Sequence, residues 1–384
     1  SLAAKRLALL YTCLRFCFRL ISMTQSNEAV IAAALSRIQD PNAQRPLADM
    51  ARITSITDAG DHLAIQLTMA YPVKAFGKGL ATLVEAQLDG SLEKPVKVTF
   101  DWQVERQPTN VKVANLAQVK NIIAVASGKG GVGKSTTSVN LALALAQEGA
   151  KVGILDADIY GPSQAMMLGV APGTKPKVVN NQAMVPIEAH GVQSISMAYL
   201  VDDNTPMVWR GPMVSGALQQ LLLQTQWQDL DYLIVDMPPG TGDIQLTFSQ
   251  KVPATGAVVV TTPQDIALLD ARKGVEMFRK VNIPVLGVIE NMAVHVCSNC
   301  GHEEHIFGEL GGSKIAEEYQ TQLLASMPLD LNIRKQADGG EPTVVSDPDG
   351  EIAMRYRHAA LALAAQVALL NEQTEIPEIT LSDD

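Results

Sequence analysis

The sequence predicts an α/β fold, a mostly parallel sheet covered by helices on both faces and preceded by a small α+β domain. Three observations carry that prediction. From residue 121 onward, five short continuous apolar runs alternate with helical stretches, as buried parallel strands joined by crossover helices do. A glycine-rich turn joins the first run to a helix at 128–135. Ahead of them, residues 28–104 combine one helical period with runs of period two, the mark of half-buried strands.

The 384 residues exceed what one small core needs, so two domains are expected, and 47% apolar with 18% charged residues is a globular composition. Forty acidic against thirty basic side chains give a net charge of -10, which repels nucleic acid and anionic lipid. No apolar run reaches the roughly 18 to 20 residues a membrane-spanning helix needs. Four cysteines are too few for a disulfide framework and fit a reducing cytoplasm. The first 22 residues carry Lys5, Arg6, Arg15, Arg19, Cys13 and Cys17 and no acid. They resemble a targeting peptide, but the arginines break the apolar run and no small-residue cleavage site follows. We therefore read Met23 as the start, with 1–23 an extension outside the fold.

The small domain is expected over 24–105. Val30, Ile31, Ala34, Leu35 and Ile38 recur at helical spacing, which predicts a helix over Glu28–Ile38. Ala51–Ile56 and His62–Met69 read as a hairpin around Asp58-Ala59-Gly60-Asp61. Residues 77–89 look helical, and Val96, Val98, Phe100, Trp102 and Val104 alternate strictly. Residues 106–120 lack either period and read as a linker.

The large domain is expected over 121–370, with strands at Ile122–Ala126, Val152–Leu155, Tyr232–Val235, Ala257–Thr261 and Val285–Ile289. Helices follow at Lys134–Gln147, Ile266–Val281 and Ile352–Leu370. Two long irregular stretches, 161–210 and 292–312, interrupt the alternation, and loops of that length are usually functional. The tail 371–384 is acidic.

Gly128-Lys129-Gly130-Gly131-Val132-Gly133-Lys134-Ser135 follows a buried strand and opens a helix, the setting that a phosphate-binding loop requires. Its glycines let successive N–H groups turn inward, and the helix N-terminus adds positive dipole. Lys134 would pair with the outer phosphates, Ser135 would ligate Mg²⁺, and Thr136, next in the first helical turn, is expected to bind the nucleotide with them. Asp236 closes a strand at the position from which a carboxylate holds magnesium through its water shell. Pro238–Asp243 forms a loop able to respond to a γ-phosphate, although Asp243 reads equally as a helix cap. Asp156 and Asp158 end another buried strand, and one of them can orient the attacking water.

This loop resembles the deviant Walker A class of P-loop NTPases, which includes the nitrogenase iron protein and the septum-site and chromosome-partition ATPases. In that class the lysine at the place of Lys129 crosses a dimer interface to the partner's nucleotide, so the resemblance implies a homodimer. It also implies Asp158 as the water-orienting carboxylate and Asn291 as the adenine contact. Asn291-Met292 lacks the pattern of guanine-specific relatives, which favours ATP.

Cys297-Ser298-Asn299-Cys300 lies in the second irregular stretch, at a spacing where two thiolates can share one metal centre. Local sequence leaves several readings open. His302 and His305 could complete a four-ligand zinc site, the pair could be a bare structural or redox dithiol, or it could hold part of a shared cluster. An iron-sulfur cluster takes about four cysteines, and two chains of a dimer offer four.

Residues 24–370 as a whole resemble the Mrp/ApbC-type iron-sulfur cluster carriers. The strings that carry the resemblance are Leu155–Ser163, Trp209–Met213, Asp236–Asp243, Thr262–Asp265 and Val296–Cys300. It implies an ATP hydrolase whose Cys297 and Cys300 bind a dimer-bridging [4Fe-4S] cluster, passed between cluster-assembly scaffolds and apo iron-sulfur proteins. The first domain resembles a small domain of cluster-assembly factors, many of which carry a reactive cysteine in a Pro-Gly-Cys-Pro turn. Here Tyr71-Pro72-Val73-Lys74 stands in that region, so the domain reads as an interaction module.

Three rival readings keep the same loop. A membrane- or DNA-positioning ATPase should end in a basic amphipathic helix, whereas this tail is acidic. A targeting ATPase would line a groove with methionines, but Met166, Met167, Met207 and Met213 are scattered and fit core packing. A zinc-stabilised dimeric ATPase without cluster transfer is the third.

Overall fold

The computed structural model describes residues 27–107, 116–179, 183–200, 211–242, 245–246, 252–297 and 299–370, with the side chains of 211–215 left aside. The extension, the tail, most of the expected linker, Met207, Trp209, Asp243 and Ser298 lie outside the described residues.

Two compact units divide between Gln103 and Val104. In the first, residues 27–35 form helix α1. It stops short of the expected Ile38, where the Ser36 hydroxyl turns back onto Ala32 O. Strands β1 (Ala51–Asp58) and β2 (Leu63–Met69) make the expected antiparallel hairpin. Asp58 Oδ1 accepts the Gly60 N–H across the turn. Helix α2 (Phe76–Leu88) then carries the chain over the sheet, and β3 (Val96–Trp102) pairs parallel with β2. The alternation of β2 is strict, with Leu63, Ile65, Leu67 and Met69 all buried.

The second unit is built on an eight-stranded sheet. Its elements are β4 (Val119–Ala126), α3 (Lys134–Gln147), β5 (Val152–Asp156), β6 (Ile187–Ala189), β7 (Val192–Ser196), α4 (Gly211–Gln224), β8 (Leu230–Asp236), β9 (Gly256–Thr261), α5 (Asp265–Lys280) and β10 (Val285–Glu290). They are followed by β11 (His295–Val296), β12 (Glu303–Glu304), α6 (Gly311–Glu318), β13 (Leu323–Ser326), α7 (Leu331–Asp338) and α8 (Glu351–Leu369). The sheet order is β6-β7-β5-β8-β4-β9-β10-β13, antiparallel only at the β6–β7 edge.

Every residue of β8 and β9 is buried, as a strand covered on both faces must be. α5 buries Ala267, Leu268, Ala271, Val275 and Phe278 along one stripe, with Asp265 in its first turn and Arg279 and Lys280 in its last, charges placed to suit the helix dipole.

Two expectations need correction. β4 begins at Val119, three residues earlier than read, so the linker does not reach residue 120. Lys120 bonds Asp231, and the buried Asn121 holds the carbonyls of Glu105 and Asp231. Strands β6 and β7 lie inside a stretch read as irregular, because β7 buries two serines among its apolar residues.

Candidate functional site

Register assembles the site. Ser196, Asp156 and Asp236 are Cα partners across three neighbouring parallel strands, and Asp236 faces Val125 of β4. The carboxyl ends of β7, β5 and β8 therefore deliver three polar side chains in a row beside the glycine loop that leaves β4. An open α/β sheet binds its ligand at this edge.

The loop itself needs its glycines. Gly133 caps α3 in the left-handed region at φ 83, and a Cβ there would lie 2.1 Å from Asn291 Nδ2. A Cβ on Gly128 would meet the Asp270 carbonyl oxygen at 2.1 Å. Lys129, Gly130 and Gly131 are exposed, while Val132 and Lys134 are buried and Ser135 and Thr136 are half-buried. The lysine expected to reach across a dimer is thus at the surface, and the lysine expected to hold phosphate is inside.

Lys134 Nζ donates to Asp236 Oδ1 at 2.6 Å, and Ser138, one turn further along α3, donates to the same oxygen at 2.9 Å. Asp236 Oδ2 accepts from Gln164 Nε2 at 2.9 Å. With a 0% exposed carboxylate against a 6% exposed ammonium, this is a desolvated, hydrogen-bonded ion pair.

The two neighbouring aspartates have different work. Asp156 is fully buried and accepts from the backbone N–H groups of Asp158, Ser163 and Gln164 and from the Ser196 hydroxyl. It holds the loop 157–164 in shape. Burial first, and the Asp236 charge second, push its pKa up to about 7. Asp158 is half-buried and accepts the Gly161 N–H at 3.3 Å, and burial raises its pKa too. Of the pair, Asp158 is the one that is partly exposed, and it lies close enough to Lys134 for that charge to oppose the rise.

Asn291 is buried, and its Nδ2 donates to Val132 O at 2.8 Å. The amide nitrogen thereby props the phosphate loop. On the opposite side, Gly240 N donates to Ser127 O, and the buried Gln245 amide holds Pro239 O. The loop after Asp236 is tied to the phosphate loop at its start.

The cysteines sit at the tip of the ribbon formed by β11 and β12. Cys297 N donates to His302 O, and Gly301 N, at φ 71, donates back to Cys297 O. Cys297 is half-buried and Cys300 exposed, and both are free thiols. N–H groups of Asn299, then Cys300, hold the Cys297 thiol below its usual pKa. His305 Nδ1 is 2.8 Å from Ala293 O, so that nitrogen donates to the backbone, and His302 is exposed. Among the described residues no group of three or more His, Cys, Asp or Glu converges on one point, so the four-ligand zinc arrangement is not assembled within one chain.

A family profile described as NUBPL iron-transfer P-loop NTPase matches residues 118–364. The chain belongs to that family. A second profile, described as iron-sulfur cluster assembly protein, matches residues 28–100. Relatives of the NUBPL-type P-loop NTPase include the iron-sulfur cluster carrier protein of Pseudomonas fragi, 66% identical over 276 residues, covering 72% of this chain and 96% of the relative. The Escherichia coli K12 protein of the same name is 51% identical over 343 residues, 88% and 92% of the two chains. The mouse iron-sulfur cluster transfer protein NUBPL is 52% identical over 244 residues, 63% and 76% of the two chains. Among solved structures, a nucleotide-binding protein from Archaeoglobus fulgidus in complex with ADP superposes with a TM-score of 0.54 at 36% identity, covering 62% of this chain and 92% of that one.

Sequence reasoning missed two polar residues of this P-loop NTPase site. Ser138 had a signal, since it stands four residues after Lys134 and so shares its helix face. Gln164 had none: a glutamine after Gly-Pro-Ser reads as an ordinary loop residue until the register brings Asp236 beside it.

Proposed function

We propose that this chain is an ATP-driven iron-sulfur cluster carrier, in which two copies share one [4Fe-4S] cluster between their Cys297 and Cys300 pairs and pass it to apo-proteins. One observation carries the reading: a buried, fully built phosphate site and an exposed, two-thiol turn coexist in one domain of a cluster-transfer family. The thiols suit a cargo that must leave, because they are surface ligands with no third partner among the described residues of the same chain.

In this reading the N–H groups of 129–133 and Lys134 hold the ATP phosphates, and Ser135 and Asp236 hold the Mg²⁺ that accompanies them. The hydroxyl and carboxylate fit that ion, both being hard oxygen donors at the carboxyl edge of the sheet. Lys129 reaches the partner's nucleotide, Asp158 orients the attacking water, and Asn291 Oδ1 meets the adenine. Loops 156–164 and 236–242 share the Asp236 carboxylate, so hydrolysis shifts both and alters how the two chains, and their four sulfurs, face each other. The first domain serves as an interaction module for scaffolds or recipients, and the protein works in the cytoplasm.

The test is anaerobic reconstitution with iron and sulfide, followed by metal and sulfide counts and sizing. About two irons and two sulfides per chain on a dimer is the expected outcome. Stoichiometric zinc on a chain that accepts no cluster would overturn the carrier reading and leave a dimeric ATPase.

A further inference from the structure

Gln164 opens the one-turn helix Gln164–Met167 directly after the loop that carries Asp158. It is 1% exposed. Its Nε2 donates to Asp236 Oδ2 at 2.9 Å and to Ser135 O at 3.0 Å, while its own backbone N–H donates to Asp156 Oδ2 at 3.1 Å. Two acceptors on one nitrogen fix which way the amide points, since the oxygen could not replace it there. The orientation leaves Oε1 buried with no hydrogen-bond partner among the described residues. Leaving a buried carbonyl unpaired costs free energy comparable to a lost hydrogen bond. A leucine or methionine would avoid that cost only by taking the Nε2 donor from Asp236 Oδ2 and Ser135 O, so those two bonds account for the amide nitrogen while nothing in the packing accounts for the unpaired Oε1.

We propose that Gln164 is a positioning residue for MgATP turnover. Its Nε2 locks the Asp236 carboxylate and the Ser135 backbone to the start of the helix after the Asp158 loop. Its Oε1 supplies an acceptor for a donor that arrives with the ligand, a water on the magnesium being the chemistry that fits. The magnesium-holding pair and the Asp158 loop are then joined through a single side chain, and the loop responds to the metal rather than to the nucleotide alone. The inference rests on the assignment of the site to MgATP made above.

The test separates the two. Binding of a fluorescent ATP analogue by the unmodified full-length chain, with and without Mg²⁺, comes first; failure to bind at all would sink the MgATP reading itself. With binding established, Gln164→Leu should keep nucleotide affinity in excess Mg²⁺ within about threefold. It should also weaken the Mg²⁺ dependence of binding about tenfold and lower kcat by a similar factor, the size expected for losing hydrogen bonds to a charged group. Gln164→Asn, which keeps the amide on a shorter arm, should recover part of the loss. An unchanged Mg²⁺ titration and kcat in folded Gln164→Leu would overturn the proposal. Because that variant borders a buried carboxylate and can fail to fold, a second measurement uses the unmodified chain. Hydrogen exchange at 158–168 should slow with a slowly hydrolysed ATP analogue plus Mg²⁺ and much less with the analogue plus EDTA; equal protection in both would overturn the proposal as well.

Discussion

The nucleotide site and the cysteine turn are opposite solutions to holding a ligand. At the first, Asp236 is wholly buried and takes three side-chain donors, Lys134, Ser138 and Gln164, from two segments. At the second, Cys297 and Cys300 stand at the tip of a ribbon only two residues long on each side, held by two backbone hydrogen bonds. Removing a part from the buried site should damage the fold as well as the chemistry, whereas removing a thiol should damage the chemistry alone. That contrast can be broken by measurement, and the predictions below run from the largest expected effect on the folded chain to the smallest.

Lys134→Ala takes from the Asp236 carboxylate the one cation that pairs with it among the described residues, and leaves that carboxylate buried beside Asp156. Deleting one partner of a buried pair typically costs about 3 kcal/mol or more. The variant should therefore unfold at markedly lower urea concentration, and ATP binding should be lost. A variant with unchanged urea midpoint would show that the pair is not a structural element.

Gly133→Ala should come next. Its φ of 83 costs a residue with a Cβ about 1–2 kcal/mol, and the added carbon would drive Asn291 Nδ2 off Val132 O. A loss of about 2 kcal/mol is expected in urea unfolding, with weaker ATP binding, because the bond that props the phosphate loop goes with it.

Cys300→Ala at an exposed site and Cys297→Ala at a half-buried one outside the core should each shift stability by no more than about 0.5 kcal/mol. Both should keep wild-type ATP binding and lose the reconstituted cluster. A full cluster retained on Cys300→Ala would show that the four thiols of a dimer are not its ligands.

The same contrast explains what could be read without coordinates. The phosphate loop, Asp236 and the cysteine turn are legible because each is a contiguous string whose chemistry follows from its spacing, and the long helices and central strands are legible because burial on both faces leaves continuous apolar runs. Hidden features depend on register instead. Strand β7 was concealed by Ser194 and Ser196, which are buried only because Ile187 O, the Tyr199 hydroxyl and Asp156 receive them. The parallel pairing of β3 with β2 was hidden because alternation reports a buried face and not the direction of the neighbour. The division of labour between Asp156 and Asp158, two residues apart, became visible only once the loop N–H groups could be seen converging on the first.

The smallest effect is the most specific to the cysteine turn. N–H groups of Asn299 and Cys300 point at the Cys297 sulfur and lower its pKa, and unfolding abolishes that arrangement. The thiolate is the nucleophile, so alkylation of Cys297 in a Cys300→Ala background should reach half its limiting rate at lower pH in the native chain than in urea. The sign follows from linkage: a thiol whose folded pKa is depressed favours the folded state at high pH, and the contribution is lost as pH falls through the folded pKa. Its partial exposure keeps the stability effect too small for unfolding curves, so the alkylation midpoint is the measurement that sees it. Coincident midpoints would mean that the turn does not pre-ionise its sulfur. A lower native midpoint would mean that the turn, though it contributes nothing to the core, already presents the form of the ligand that iron takes.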